Sequence, residues 1–299
     1  MWILTTLLTF LCWGTADLFY KIGNKQEGDY NHYKTGIMVG LIMGIHATIF
    51  LLFNQTSITF IDILKYLPVS FFYITSMVIG YKGLKYLELS ISSPIQNTSG
   101  VITAILLLIF FQEKFAFPFY IAVLFIFMGI VSLSCMEIKE NKEKRIAFKK
   151  KNPWKKVLTL TILFPLAYCI LDGAGTFLDG IYLDKLSLIN EDTALVAYEY
   201  TFFIYGIITY IFLKGKKQEF HIIQEKPMLA AAIFETAGQF FYVYAMSGNA
   251  TVSAPIVGSY CVLSMLLSRI FLKEKLTIKE YISIFFVLIG IFILAIMDI

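Results

Sequence analysis

Apolar runs of about twenty residues recur along almost the whole chain, separated by short polar gaps. A helix needs ~20 such residues to cross the hydrocarbon of a bilayer. Charged residues make up only 15% of the sequence, against the ~25% that is usual in soluble domains. Only helices and closed barrels satisfy backbone polar groups in lipid, and runs such as VITAILLLIFF lack the alternation of a barrel strand. The sequence therefore predicts an all-α integral membrane protein.

Ten of these runs are predicted to be transmembrane helices. They lie at 2–20, 34–53, 63–82, 89–111, 117–136, 156–178, 193–213, 227–247, 250–272 and 278–297. Lysines and arginines concentrate in every second loop, and the alternate loops hold only Lys65, Lys114 and Lys185. Because cytoplasmic loops carry the excess of basic residues, both termini are predicted to be extracytoplasmic. Richness in Ile, Lys, Phe and Tyr indicates an AT-rich bacterial genome. The predicted location is the bacterial plasma (inner) membrane.

One basic segment, EIKENKEKRIAFKKKNPW at 137–154, divides the chain into two parts of similar length. The prediction is a first five-helix repeat at 1–136, a basic cytoplasmic linker at 137–155 and a second five-helix repeat at 156–299. We interpret the linker as a topology anchor and solvated hinge, rather than as a specific lipid or nucleic-acid site.

A shift of 161 residues aligns the second part of the chain with the first. It matches a proline, a Glu-Lys pair, a tyrosine and a glycine: Pro94 with Pro255, Glu113 and Lys114 with Glu274 and Lys275, Tyr120 with Tyr281, and Gly129 with Gly290. Each half has an odd number of predicted spans, so the second copy is predicted to lie inverted in the membrane. Inverted repeats are typical of secondary transporters, which bind substrate near the midplane between the repeats. Glu113 and Glu274 are expected to cap helix ends or fix the turn.

Three motifs resemble the EamA-like family of the drug/metabolite transporter superfamily. They are CWGTADLFYK at 12–21, SPIQ…FFQEK…G at 93–129 and APIV…FLKEK…G at 254–290. The resemblance covers the whole chain as two copies of one five-helix domain, and the spacing from Pro to Glu to Gly is its most specific part. It implies a ten-helix carrier of small metabolites with a central cavity, and it does not imply a particular substrate.

Acidic side chains within the predicted spans mark a candidate site, because a charge at a helix centre costs at least ~2.5 kcal/mol. Five acids meet this description: Asp17, Asp172, Asp179, Glu199 and Glu235. A shift of 155 aligns Trp13 with Tyr168 and Asp17 with Asp172, so each half places a ring and a carboxylate on one helix face. Asp172, Glu199 and Glu235 lie deepest and are expected to face a cavity. Asp17 and Asp179 lie near predicted span ends, where a structural clamp explains them equally well.

The candidate substrate site combines acids, aromatic rings and neutral ligands. The predicted substrate-binding residues are Trp13, Asp17, Asn97, Tyr168, Asp172, Glu199, Glu235, Gln239, Tyr242, Ser259 and Tyr260. Rings beside carboxylates attract organic cations, although tyrosine and tryptophan are also common packing residues. Pro94 and Pro255 are expected to break or bend their spans and to free carbonyls toward the cavity. Asn97 and Ser259 follow them by one turn.

Two features of the second predicted span indicate helix packing rather than substrate binding. Gly36, Gly40 and Gly44 form GxxxGxxxG, which predicts close packing within the chain in preference to dimerisation. His46 is interpreted as a hydrogen-bonded packing histidine, with proton transfer as the alternative. The chain is expected to be a monomer or a weak dimer.

The predicted function is a secondary transporter of a small polar organic metabolite, cationic or zwitterionic, such as an amine or an amino acid. It is expected to work by alternating access and to be coupled to protons, because burial disfavours the charged form of a carboxylate. The alternatives are a substrate-capturing subunit of a larger transport complex and a membrane-embedded enzyme. Asp172 and Asp179 lie seven positions apart on one predicted helix, too far for a shared-proton pair. The chain has no HExxH, GxSxG or P-loop motif, and is therefore not expected to be an enzyme.

No cofactor or metal is expected, because the four cysteines lie in apolar runs without metal-binding spacing. The expected partners are a small-molecule substrate, membrane lipid and protons, with no nucleic acid.

Overall fold

The computed structural model describes residues 2–24, 30–54, 57–84, 98–140, 146, 150, 153, 163–273 and 275–297. The helices are α1 (Trp2–Asn24), α2 (Asn31–Asn54), α3 (Phe60–Leu84), α4 (Ser99–Phe111), α5 (Phe117–Glu140), α6 (Phe164–Asp179), α7 (Glu191–Gly215), α8 (Lys226–Gly258), α9 (Tyr260–Phe271) and α10 (Ile278–Ile296). A π-helical turn, Gly180–Lys185, extends α6. No strand occurs in the ranges that the structure describes, and the predicted all-helical class is confirmed.

The helices are long and apolar enough to build a multi-pass membrane protein. Eight helical segments within the described ranges meet the length and composition of a membrane span. One of them, Lys226–Phe271, covers both α8 and α9, and its 46 residues are about twice the length that one crossing needs. Its backbone leaves the helical conformation at Asn249 (φ −165°, ψ 89°). The number of ten crossings in two inverted halves stays a prediction.

The α8–α9 junction lies one turn beyond Pro255, where the sequence predicts a break or bend. Helix α8 ends at Gly258 and α9 begins at Tyr260, so only Ser259 separates them. The Ser259 backbone N–H bonds to the carbonyl of Ile256, three residues back, rather than four. The break expected from Pro255 is therefore present, whereas Pro94 lies outside the described residues.

Helices α2 and α7 approach each other through glycines. A Cβ atom placed on Gly40 of α2 would lie 2.7 Å from the backbone oxygen of Phe202 and 3.1 Å from the Cα atom of Gly206, both on α7. Since real Cβ atoms do not come this close to backbone, only glycine fits here. The prediction that GxxxGxxxG packs within the chain is confirmed.

Helices α5 and α10 contact each other twice in the same way: a glycine of each helix packs on a backbone oxygen of the other. A Cβ on Gly129 of α5 would lie 2.8 Å from the backbone oxygen of Ser283 of α10, and a Cβ on Gly290 of α10 would lie 2.7 Å from that of Ala122 of α5. Adding 161 to positions 122 and 129 gives 283 and 290. The contact therefore maps onto itself when the aligned residues exchange places.

Gly40→Ala is expected to destabilise the protein by about 2 kcal/mol, because the new methyl group must displace the backbone of α7. The thermal unfolding midpoint of the detergent-solubilised protein measures this effect. Gly215→Ala is the matched control, since a Cβ at Gly215 would meet no atom within 4 Å. Equal midpoints for the two variants would contradict the close approach of α2 and α7.

Candidate functional site

A cavity of about 110 Å³ lies between helices of both parts of the chain. This volume is roughly seven to eleven times what one water molecule needs, so the cavity suits a small solute. Its polar and aromatic lining comprises the acids Asp17, Asp172 and Glu235, the rings of Trp13, Tyr20, Tyr73, Tyr81, Tyr168 and Tyr260, and the hydroxyls of Ser99 and Thr176. Helices α1, α3, α4, α6, α8 and α9 contribute these residues.

Asp17 lines the cavity with its charge already balanced. Its carboxylate lies 3.1 Å from the ammonium of Lys21, one turn along α1. It also accepts a hydrogen bond from the Ser264 hydroxyl of α9, and Lys21 donates to the same hydroxyl oxygen at 2.8 Å. This part of the cavity wall is therefore close to neutral. The ion pair with Lys21 agrees with a structural role for Asp17, which was one of the two explanations that the sequence allowed.

Asp172 lies on α6 and is held by hydroxyl groups. The Ser99 hydroxyl of α4 donates to its Oδ2 at 2.6 Å, and the Ser76 hydroxyl of α3 to its Oδ1 at 3.5 Å. Glu235 of α8 is 7% exposed, and the Tyr20 hydroxyl is its hydrogen-bonding neighbour. Among the described residues neither carboxylate forms a salt bridge. The cavity thus holds two buried acids that have no salt-bridge partner in the part of the chain that the structure describes.

Two opposite walls of the cavity share one construction. Trp13 of α1 packs on Gly238 of α8, where a Cβ would lie 2.2 Å from the indole ring. Tyr168 of α6 packs on Gly80 of α3, where a Cβ would lie 2.8 Å from the phenol ring. Trp13 and Tyr168 are the two rings that the 155-residue shift aligns. Each part of the chain therefore seats the ring of its first helix on a glycine of the third helix of the other part.

The two walls carry different side chains at the position three residues before each glycine. Met77 precedes Gly80 and Glu235 precedes Gly238, and both Met77 and Glu235 line the cavity. A thioether on one side thus corresponds to a carboxylate on the other. The acid of α8 has no acidic counterpart on α3, so the cavity is chemically asymmetric although its frame is duplicated.

A hydrogen-bonded tyrosine cluster lies beside the cavity around Asp179. The Tyr73 hydroxyl donates to Thr176 Oγ1 at 2.9 Å and pairs with the Tyr242 hydroxyl. Asp179 accepts a hydrogen bond from Tyr66 and is 0% exposed. The Tyr242 hydroxyl is a second hydrogen-bonding neighbour of this carboxylate. The sequence placed Asp179 near a span end, but the structure buries it completely because the π-helical turn continues α6.

Six predicted substrate residues line the cavity: Trp13, Asp17, Tyr168, Asp172, Glu235 and Tyr260. Tyr242 lies behind the wall, with its ring stacked on Trp13 at a centroid distance of 5.0 Å. Gln239 and Ser259 are buried, at 3% and 0% exposure, and are not lining residues. Asn97 lies outside the described residues.

Glu199 is buried, but it contacts His46 and does not line the cavity, contrary to the expectation that it faces the cavity. It lies on α7 with 0% exposure, and its two carboxylate oxygens are 2.9 and 2.8 Å from Nδ1 of His46 on α2. The buried face of α7 that carries Glu199 packs on α2 and does not reach the cavity. His46 is hydrogen-bonded, as its interpretation as a packing histidine requires.

Glu113 lies in the turn after α4, does not line the cavity and also connects distant segments. It forms an ion pair with Lys185 at the end of the π-helical turn and accepts a hydrogen bond from the Thr251 hydroxyl of α8 at 2.5 Å. Lys185 also lies 2.7 Å from Asp184, whose carboxylate accepts from the Ala250 N–H at 2.9 Å. Glu274 lies outside the described residues.

Sequence reasoning missed several lining residues: Tyr20, Tyr73, Tyr81, Ser99 and Thr176. A signal was present in α3, where Tyr73, Met77 and Gly80 recur at helical spacing on one face. These positions carry no charge, and for that reason the search for buried acids did not find them.

The fold is that of a multi-pass membrane protein with a cavity between its helices. The sequence model of the EamA-like transporter family matches residues 1–135 and 159–296. The chain therefore belongs to the EamA-like transporter family, which is part of the drug/metabolite transporter superfamily. Membership places it with transporters rather than with enzymes.

One relative and one solved structure extend this comparison. The chain is similar to an uncharacterized protein of Methanocaldococcus jannaschii, MJ1333.1, at 27% identity over 139 residues, which are 45% of this chain and 96% of that protein. Almost the whole length of that protein therefore aligns with about half of this chain. The fold is similar to that of a solved protein crystal structure, with a TM-score of 0.69, 10% identity and coverage of 97% of this chain and 95% of that one.

Proposed function

We propose that this protein is a secondary transporter that moves a small organic cation or zwitterion, such as an amine or an amino acid, across the bacterial plasma (inner) membrane. The observation that carries the proposal is the pair of buried acids, Asp172 and Glu235, in one cavity without a cation beside them among the described residues. Burying an unpaired charge is costly. A cationic substrate or bound protons supply the missing positive charge, which is also the basis for proton coupling.

The aromatic lining supports an organic cation as the substrate. Trp13 and Tyr260 meet edge to face with their centroids 6.2 Å apart, and the Tyr20 and Tyr81 hydroxyls are 3.1 Å apart. Ring faces attract ammonium groups, most strongly where water is excluded. The neutral wall around Asp17 and Lys21 would meet the uncharged or zwitterionic part of such a solute.

Alternating access between two inverted five-helix halves, residues 1–136 and 156–299 joined by the linker 137–155, is supported by the duplicated packing. Each glycine contact between α5 and α10 has an equivalent made by the aligned residues of the other half. The same holds for the two cavity walls, where a ring of one half packs on a glycine of the other. A fold that is nearly equivalent from both membrane faces suits a carrier that opens to either side. We place ten spans in the membrane with both termini extracytoplasmic, surrounded by lipid, in a monomer or weak dimer.

The proposal is tested by transport in proteoliposomes that contain only this protein. A thermal-shift screen against amines, amino acids, nucleobases and sugars selects the solute, because a ligand that binds only the folded form raises apparent stability. We expect the amine or amino acid with the largest shift to accumulate against its gradient when a pH gradient is the only driving force. Binding without accumulation would reject the transporter in favour of a substrate-capturing subunit.

Glu235→Gln is expected to lower proton-driven accumulation about tenfold, because the amide keeps the size of the side chain but neither ionises nor carries a proton. General acid–base groups that lose this capacity commonly cost at least that factor. Accumulation at a series of external pH values measures the effect. Glu219→Gln is the control, since Glu219 lies in the exposed loop after α7 with 87% of its side chain accessible. Unchanged rate and pH dependence in Glu235→Gln would remove Glu235 from the mechanism.

A further inference from the structure

In the α2–α7 contact, as in the α5–α10 contact, equivalent residues of the two helices make equivalent contacts. Gly40 and Gly206 meet at its centre, and 206 − 40 gives a shift of 166 between equivalent positions. Under this shift His46 corresponds to Phe212, and Glu199 corresponds to Tyr33. Both pairs are in contact, because the Tyr33 and Phe212 rings lie 5.2 Å apart and His46 bonds to Glu199.

The two ends of this contact differ in chemistry. One end is closed by the rings of Tyr33 and Phe212, and the ring of His32 packs on Tyr33 with a centroid distance of 4.0 Å. The other end is closed by an imidazole and a carboxylate that are hydrogen-bonded to each other. By the distribution of basic loops, α2 runs outward from Asn31 to Asn54, so the His46–Glu199 pair lies in the extracytoplasmic half. The duplicated frame therefore carries a hydrogen-bonded imidazole–carboxylate pair at the end whose counterpart is closed by the rings of Tyr33 and Phe212.

The surroundings of the pair are apolar or weakly acidic. The rings of Phe50 and Phe240 lie 6.1 and 5.9 Å from the His46 ring. The titratable neighbours on α7 are Tyr198 and Tyr200, which flank Glu199 in the chain, and the Tyr200 hydroxyl lies 3.2 Å from that of Thr48 on α2. Farther from the pair, Tyr73 of α3 contacts the Tyr198 ring, and Tyr244 of α8 packs on Phe240 and donates to Asp192. In the part of the chain that the structure describes, the salt-bridge partner of each member is the other.

The proton count decides the charge of the pair. With one proton between them His46 and Glu199 are together neutral, whichever of the two holds it. Without that proton one negative charge remains on a carboxylate that is 0% exposed, and an unbalanced buried charge is strongly unfavourable. Water relieves this cost only if the helices separate at that end.

We propose that His46 and Glu199 form a proton-binding site separate from the substrate cavity, whose proton holds the extracytoplasmic half of the α2–α7 contact closed. Neither residue lines the cavity, so this proton is additional to any bound by Asp172 or Glu235. The existence of the site is independent of the proposed function. Its part in transport rests on that function.

Proton binding is measured without substrate by ¹⁵N NMR of the histidines in the purified, full-length protein. The chain has three histidines, and single substitutions assign them. We expect the titration midpoint of His46 to differ by at least about one pH unit from that of His221, whose side chain is 56% exposed. We expect Glu199→Gln to move the His46 midpoint by a similar amount and Glu235→Gln to leave it in place. A midpoint shared by His46 and His221 in the unsubstituted protein would overturn the proposal without any variant having to fold.

Transport separates the role of the site from its existence. In proteoliposomes Glu199→Gln is expected to lose most of the response of transport to external pH, while the thermal shift with the screened amine stays as in the unsubstituted protein. Tyr33→Phe, at the equivalent position of the other end, is expected to change neither. No transport by the unsubstituted protein together with a displaced His46 midpoint would reject the proposed function and keep the site. A normal pH response in Glu199→Gln would overturn the closing role.

Discussion

Asp172→Asn is expected to weaken the binding of the screened amine roughly 100-fold and to stop its transport. Asparagine keeps the size of the side chain, and its Oδ1 can accept from one of the Ser99 and Ser76 hydroxyls that hold Asp172 while its NH2 group donates to the oxygen of the other. The change therefore removes a charge and little else. At an effective dielectric constant of 20, two unit charges 4 Å apart interact by about 4 kcal/mol. A loss of about two thirds of this interaction energy lowers the affinity for the amine roughly 100-fold.

The amine concentration needed for half-maximal thermal stabilisation measures this loss, and uptake by proteoliposomes measures transport. Asp62→Asn is the matched control. Asp62 lies in the first turn of α3, where it accepts hydrogen bonds from the backbone and hydroxyl of Thr59 at 2.9 and 2.7 Å, and it does not line the cavity. Retained amine affinity in Asp172→Asn, or an equal loss in Asp62→Asn, would show that the charge of Asp172 does not bind the amine.

Four of the predicted residues that line the cavity share a local signal in the sequence. Trp13 and Asp17, like Tyr168 and Asp172, are four positions apart on one helix, so the spacing alone puts ring and carboxylate on one face. The duplication then predicts that both pairs face the same place. All four line one cavity. Helix class and the approximate positions of the spans followed in the same way, from the length of apolar runs.

The depth of a polar residue in the membrane does not show which neighbouring helix it faces. Glu199, Gln239 and Ser259 are examples. A buried polar residue must face protein rather than lipid, but several neighbouring helices are possible partners. Glu199 contacts His46, 153 positions earlier in the chain, and no local pattern connects the two. Direction around the helix axis is set by which helices pack together, and a single sequence does not contain that information for α7.

Lys185→Met is expected to lower the free energy of unfolding by about 3 kcal/mol, because removing one partner of a buried ion pair leaves the other charge uncompensated. The Lys185 side chain is only 9% exposed and lies between Glu113 and Asp184. Without the ammonium, two carboxylates would face each other at the junction of the α4–α5 turn, α6 and α8. The thermal unfolding midpoint in detergent measures the loss.

The charged hairpin of the sequence supplies the control. Lys114 stands next to Glu113 and is exposed, so Lys114→Met is expected to leave the midpoint unchanged. Adding Glu113→Gln to Lys185→Met removes the surplus negative charge, and the double variant is expected to be more stable than Lys185→Met alone. A double-mutant cycle gives the coupling, since residues in one ion network are not additive. Strictly additive losses would mean that Glu113 does not bind Lys185, and that the repeated Glu-Lys pair acts only within its own turn.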